Sequence, residues 1–171
     1  MTEIFIKDDF FPIDEYNKIV EHMVGVDYQP PEPENRKTLG AYWFTCDLPE
    51  NSLAVQASRT RIKEHFSFDI KEFVIPSCYT IVSASDKPRP HTDSNWNPKY
   101  QCLIYMKGNE KINNGTGFYK PDKDNPNNHI LSTHVGFRPN RAIFFNSLIF
   151  HAPLHWAGDS EFRYSICNFF K

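Results

Sequence analysis

The second half of this chain is a run of short β-rich segments, and no other feature narrows the possible folds so far. From about residue 72 the segments are 73–84 (FVIPSCYTIVSA), 100–107 (YQCLIYMK), 115–120 (GTGFYK), 130–137 (ILSTHVGF), 141–146 (RAIFFN), 148–153 (LIFHAP) and 162–170 (FRYSICNFF). Each is rich in the β-branched and aromatic residues that suit a pleated, half-buried surface. The stretches between them carry Asp, Asn, Gly and Pro, the residues of tight turns. Many short strands of this kind close into a barrel or stack as a double-sheet jelly roll.

Ahead of this block the pattern is helical. Residues 3–7 alternate as a short strand, and Pro12 then opens a helix in which Tyr16, Ile19, Val20 and Met23 recur on one face until Gly25. Residues 28–36, with Pro30, Pro31 and Pro33, read as loop, 38–46 as a strand and 52–65 as a second helix. Two helices before an all-β block, and none within it, place the helices on one side of the sheet. The 171 residues suit a single domain, with 1–71 as a supporting layer and 72–171 as the β core.

Bulk chemistry excludes several classes. Nineteen basic against 21 acidic residues give a net charge of −2, which argues against nucleic acid or an anionic membrane as partner. The chain has no apolar run of 18 residues, so no helical membrane span is expected. The opening Met1–Asp9 reads as an acidic strand rather than a signal peptide. Cys46, Cys78, Cys102 and Cys167 form no CxxC pair, so a thiolate zinc site or a disulfide scaffold is not expected. They read as core thiols of a reducing, cytoplasmic compartment. Asn114-Gly115-Thr116 matches a glycosylation sequon but reads as a turn.

The chemistry is concentrated in a few positions. In an extended His91-Thr92-Asp93 the imidazole and the carboxylate point to one side and can share a metal. A third ligand must come from elsewhere. His151 follows the apolar run LIF and precedes Pro153, which is expected to end the strand, leaving the rival His155 in a turn. Two His and one carboxylate on one octahedral face leave three positions open, as iron(II) oxygenases require; catalytic zinc uses similar residues. Arg163 shares a strand face with Ser165. A buried Arg needs an anion, either an internal Asp or Glu or a bound carboxylate.

Taken in order, His91-Thr92-Asp93, Leu103-Ile104-Tyr105-Met106, Gly115-Thr116-Gly117-Phe118-Tyr119, Pro139-Asn140-Arg141-Ala142-Ile143-Phe144-Phe145, His151 and Arg163-Tyr164-Ser165-Ile166 resemble the Fe(II)/2-oxoglutarate-dependent dioxygenases, and among them the prolyl-hydroxylase-like branch. The resemblance implies a mainly β fold with flanking helices around a double-stranded β-helix (jelly-roll, cupin-like) core. It implies Fe(II) on His91, Asp93 and His151, and 2-oxoglutarate held at its distal carboxylate by Arg163, assisted by Ser165 and Tyr105. Tyr79, on the first barrel strand, is placed in the same cavity. Dioxygen is the co-reactant, and a C–H bond is hydroxylated as the oxo acid is cleaved to succinate and CO2. Retention of Asp93 favours hydroxylation.

Two polar segments, 94–98 and 122–128, read as substrate-facing loops, with Asn95, Trp96 and Trp156 as candidate contacts to a small-molecule or peptide substrate. Three functions fit these residues: the 2-oxoglutarate-dependent hydroxylase, a cupin-like metal enzyme that does not use 2-oxoglutarate, and a non-catalytic binding domain on the same fold.

Overall fold

The computed structural model describes residues 4–30, 43–74, 77–82, 90–93, 98–110, 114–125, 127–154 and 162–171. In chain order the elements are β1 (Ile4–Lys7), α1 (Ile13–Gly25), β2 (Trp43–Asp47), α2 (Leu53–Phe66), β3 (Cys78–Val82), β4 (Tyr100–Lys107), β5 (Gly115–Pro121), β6 (His129–Gly136), β7 (Arg141–Asn146), β8 (Phe150–Leu154) and β9 (Arg163–Phe170). Ser52 caps α2, its hydroxyl accepting from the Val55 amide, and Ser67 ends it in the left-handed conformation at φ 54°.

The strands form two antiparallel sheets. One has six strands in the order β1-β7-β4-β9-β3-β2; the other has three, β6-β5-β8. His91 adds a bridge on the free side of β8, so the 90–93 segment extends the smaller sheet. Counting the 90–93 segment, which lies between β3 and β4 of the large sheet, the chain alternates between the sheets from β3 onward except at β5 and β6. That alternation is the winding of a jelly roll.

Strand alternation gives the large sheet two faces. On β9, Tyr164, Ile166 and Phe170 pack toward the helices, with Phe10, Ile19 and Met23. Cys167 and Phe169 face the gap between the sheets, with Leu103, Phe118 and Phe145. The helix-side core is aromatic: Phe144 touches Phe66, Phe68, Tyr100 and Phe170 at ring-centroid distances of 5.1, 5.4, 5.4 and 5.8 Å. The N-terminal segment is locked to this layer by Asn140, held at φ 62°. Its carboxamide accepts from the Phe11 amide and donates to the Phe11 carbonyl, both at 2.8 Å.

Two details differ from the sequence expectations. Pro153 does not end its strand: β8 continues to Leu154 with Pro153 opposite Thr116. A proline lacks only the N–H, which a strand with a free side can forgo. Among the described residues of the segment expected to be a strand over 73–84, the regular strand is Cys78–Val82, and Val74 donates separately to the Phe169 carbonyl at 3.0 Å.

Candidate metal and anion site

Each metal-ligand candidate is placed by backbone hydrogen bonds. His91 and His151 exchange both of theirs, His91 N to His151 O at 3.0 Å and His151 N to His91 O at 2.9 Å. Asp93 N donates to the Ser147 carbonyl at 3.1 Å, in the turn between β7 and β8. The side chains converge: His151 Nε2 lies 3.2 Å from one Asp93 oxygen and His91 Nε2 3.8 Å from the other. The three donor atoms all lie within 4.8 Å of one another.

His151 Nδ1 lies 2.9 Å from the Ile149 carbonyl, which can only accept. Nδ1 therefore carries a proton, and in the neutral ring Nε2 presents a lone pair to the carboxylate. Two lone pairs at that distance need a cation between them, a proton or a metal ion. Phe145 meets the His151 ring edge-on at 4.9 Å and holds its orientation. Asp93 and His151 are buried, while His91 is more open.

The second half of the site lies along the same gap. Arg163 is 2% exposed. Its Nη1 donates to the Gly115 carbonyl and lies 3.5 Å from Asn114 Oδ1. Its Nε has no partner, and neither does the buried Ser165 hydroxyl on the same face. No carboxylate among the described residues pairs with Arg163, so none of them supplies the internal salt bridge that the sequence allows. Burial pulls the guanidinium pKa below its usual value. The guanidinium carbon sits 5.5 Å from the centre of the Tyr105 ring. Tyr105 is fully buried, and its hydroxyl donates to Thr116 Oγ1 at 2.6 Å. Burial raises the Tyr105 pKa, against the opposing pull of Arg163.

Thr116 and Phe118 occupy alternate positions on β5, and Phe118 is opposite His151. The anion end and the metal end are therefore about 7 Å apart along that strand. Gly115 is required at the anion end: its φ is 152°, and a Cβ there would stand 2.1 Å from the Val135 carbonyl.

The structure thus brings His91, Asp93 and His151 together, and Arg163, Ser165 and Tyr105 together. It does not bring Tyr79 to them. Tyr79 belongs to the helix-side core, and its hydroxyl is 3.0 Å from Nδ1 of His22 on α1. The expected position in the cavity is wrong because Tyr79 has the opposite strand parity to Cys78, which faces inward. Asn95, Trp96, His155 and Trp156 lie outside the described residues. The 122–128 segment closes on itself, Asp122 accepting from the Asp124 amide at 3.0 Å and from Asn128 Nδ2 at 3.3 Å.

Sequence reasoning missed Asn114 and Thr116 as neighbours of Arg163 and Tyr105. The one available signal was parity, since Thr116 shares the inward face with Phe118. Asn114 is fully buried and donates to the Asn109 carbonyl at 2.8 Å, which closes the sequon to modification. A separate cleft of about 740 Å³ is lined by Ile4, Lys120, Ser132, Asn146, Leu148 and Phe150 among others; none of the three metal-ligand candidates nor Arg163 lines it.

No protein-family model matches the chain, and no curated protein sequence does. Solved structures do. A prolyl-4-hydroxylase from Pseudomonas putida matches with a TM-score of 0.62 at 13% identity, over 100% of this chain and 93% of that one. HygX from Streptomyces hygroscopicus, solved with nickel and 2-oxoglutarate bound, matches at 0.64 and 12% over 98% of this chain and 82% of that one. SnoN, a non-haem α-ketoglutarate-dependent epimerase of nogalamycin biosynthesis, matches at 0.66 and 9% over 99% and 78%. With nearly all of its length superposed on proteins only 9 to 13% identical, the chain shares the jelly-roll fold of these three structures.

Proposed function

We propose that the chain is an Fe(II)/2-oxoglutarate-dependent dioxygenase, a single domain in which 72–171 carries the site and 1–71 supports it. The observation that carries this reading is the pairing of an intact His91-Asp93-His151 cluster with a buried Arg163, which no described carboxylate pairs, on the same inner space. A buried cation without a partner is costly, and a dicarboxylate cosubstrate offsets that cost.

In this reading His91, Asp93 and His151 hold the iron, and the lone pair of His151 Nε2 is aimed at it by the Nδ1–H bond to Ile149. Arg163 binds the distal carboxylate through its free Nε edge, and the unpaired Ser165 hydroxyl donates beside it. Tyr105, hydrogen-bonded to Thr116, walls that end and keeps water out. When bound, iron and the oxo acid supply dioxygen activation, decarboxylation to succinate and CO2, and attack on a substrate C–H bond. The substrate is a small molecule, a free amino acid or a prolyl peptide, met by the 94–98 loop and Trp156. Four free cysteines fit a reducing, cytoplasmic compartment. No helix among the described residues is long and apolar enough to cross a membrane.

The test is an anaerobic titration of the metal-free protein with iron(II) and 2-oxoglutarate, watched for the weak visible charge-transfer band of a chelated oxo acid. A band in the wild type that is lost in Asp93→Ala is expected. Iron binding without a band would favour a metal enzyme of cupin type that does not use 2-oxoglutarate; no binding of either would point to a non-catalytic domain.

A further inference from the structure

The proposed reaction uses none of the four cysteines, yet two of them stand together on the inner wall. Cys78 on β3 and Cys167 on β9 are directly opposite one another. Opposed residues of an antiparallel pair have Cα atoms about 4.5 or 5.5 Å apart and side chains on the same face. Both spacings fall in the roughly 4.4–6.8 Å range that a disulfide spans. Both thiols are buried in the cluster between the sheets, at 8% and 9% exposure. They touch: contact with Cys167, with burial adding to it, raises the Cys78 thiol pKa well above the usual range. Thr80 Oγ1 lies 3.8 Å from Cys167 Sγ. The other cysteines are badly placed to compete. Cys102 is in the helix-side cluster, and Cys46 packs against that same cluster, opposite Tyr79 on the neighbouring strand.

We propose that Cys78 and Cys167 are an oxidisable dithiol that closes into a disulfide, tying the first strand of the barrel core to the last. A peroxide is the oxidant by chemical class. One thiol gives up its proton and attacks a peroxide oxygen, releasing water and leaving a sulfenic acid. The second sulfur displaces the hydroxyl, and the lost proton completes a second water. Two thiols and one hydrogen peroxide give one disulfide and two waters, with two electrons passing from sulfur to oxygen. The enclosed loop runs from 78 to 167 and contains the metal cluster. Closing so long a loop restricts the unfolded chain strongly, so the disulfide stabilises the fold. Because contact with Cys167 and burial keep the Cys78 thiol protonated, the reaction is slow at neutral pH and accelerates as pH rises.

The test treats the folded full-length protein with hydrogen peroxide, then unfolds it, alkylates the remaining thiols and maps the peptides. The expected result is a fall from four alkylated cysteines to two, with 78 and 167 in one cross-linked peptide. Dithiothreitol restores all four, and the melting temperature rises by several degrees on oxidation and falls back on reduction. Cys102→Ser behaves as the wild type, and folded Cys78→Ala forms no cross-link. Alkylatable Cys78 and Cys167 after exposure that has oxidised Cys46, or a bond between any other pair, overturns the proposal; the wild-type map decides even if a variant fails to fold. The readout uses neither iron nor oxo acid, so it stands or falls apart from the proposed dioxygenase activity.

Discussion

The two faces of the large sheet are built from the same strands and do opposite things with their polar groups. On the helix side, side-chain polar atoms of the strands are paired: Asn168 accepts from the Ser77 hydroxyl at 2.9 Å and donates to the Cys102 carbonyl at 3.3 Å, and Tyr79 meets His22. Between the sheets, Arg163 Nε, Ser165 Oγ and Gln101 Oε1 are buried with no partner. An unpaired buried polar atom costs roughly 1–3 kcal/mol, so the strand pairs on the helix side stabilise the sheet, while the three open atoms on the inner face are available to a ligand.

That contrast can be broken in four places. The largest effect is expected from His151→Ala, which removes a ligand outright and abolishes tight iron(II) binding. The loss exceeds the roughly 10–100-fold that follows when a group merely supporting a ligand is changed; calorimetry under argon measures it, and retention of wild-type affinity would move the ligand role to His155. Next is Phe144→Ala on the helix face, where five ring contacts vanish, those with Phe5, Phe66, Phe68, Tyr100 and Phe170. A loss of about 3–5 kcal/mol in urea unfolding is expected, with iron stoichiometry unchanged in the protein that stays folded.

Arg163→Leu exchanges a lone buried charge for an apolar side chain. Apo-protein stability is expected to hold or rise, because an uncompensated buried charge is itself destabilising. Binding of 2-oxoglutarate weakens by at least about 30-fold, the equivalent of about 2 kcal/mol, and iron binding is nearly unaffected. Equal loss of both in the charge-transfer titration would undo the assigned role.

The smallest effect belongs to the surface. The Asp8 carboxylate accepts from Arg141, which holds its pKa below the usual value. The folded value lies below the unfolded one, so its contribution is present above the unfolded pKa of about 3.9 and is lost as pH falls through the folded value. Asp8→Asn costs under about 1 kcal/mol at pH 7, given its partial exposure, and the difference from wild type disappears near pH 2 in paired melts.

The cluster that could hold a metal is legible in the sequence because each member leaves a local signature. An HxD on an extended segment shows one face of ligands, a His follows an apolar run, and an RxS lies in the last strand. Strand positions are legible for the same reason: 100–107 and 141–146 match β4 and β7 to the residue. Tyr79 is misplaced by sequence reasoning because an aromatic on a strand that is buried on both faces has no pattern to say which way it points. Asn114 and Thr116 escape it because their role depends on a partner strand, which short-range pattern does not reveal.

What followed from the sequence was chemistry and period: which residues can bind a metal, which segment alternates, where turns fall. These depend on bonds and neighbours a few residues apart. Pairing was decided only in three dimensions. Register set Cys78 against Cys167 and Phe118 against His151, and it placed Arg163 with no carboxylate partner among the described residues. Such contacts join residues far apart in the chain, and burial fixes them only when both sheets close on the same gap.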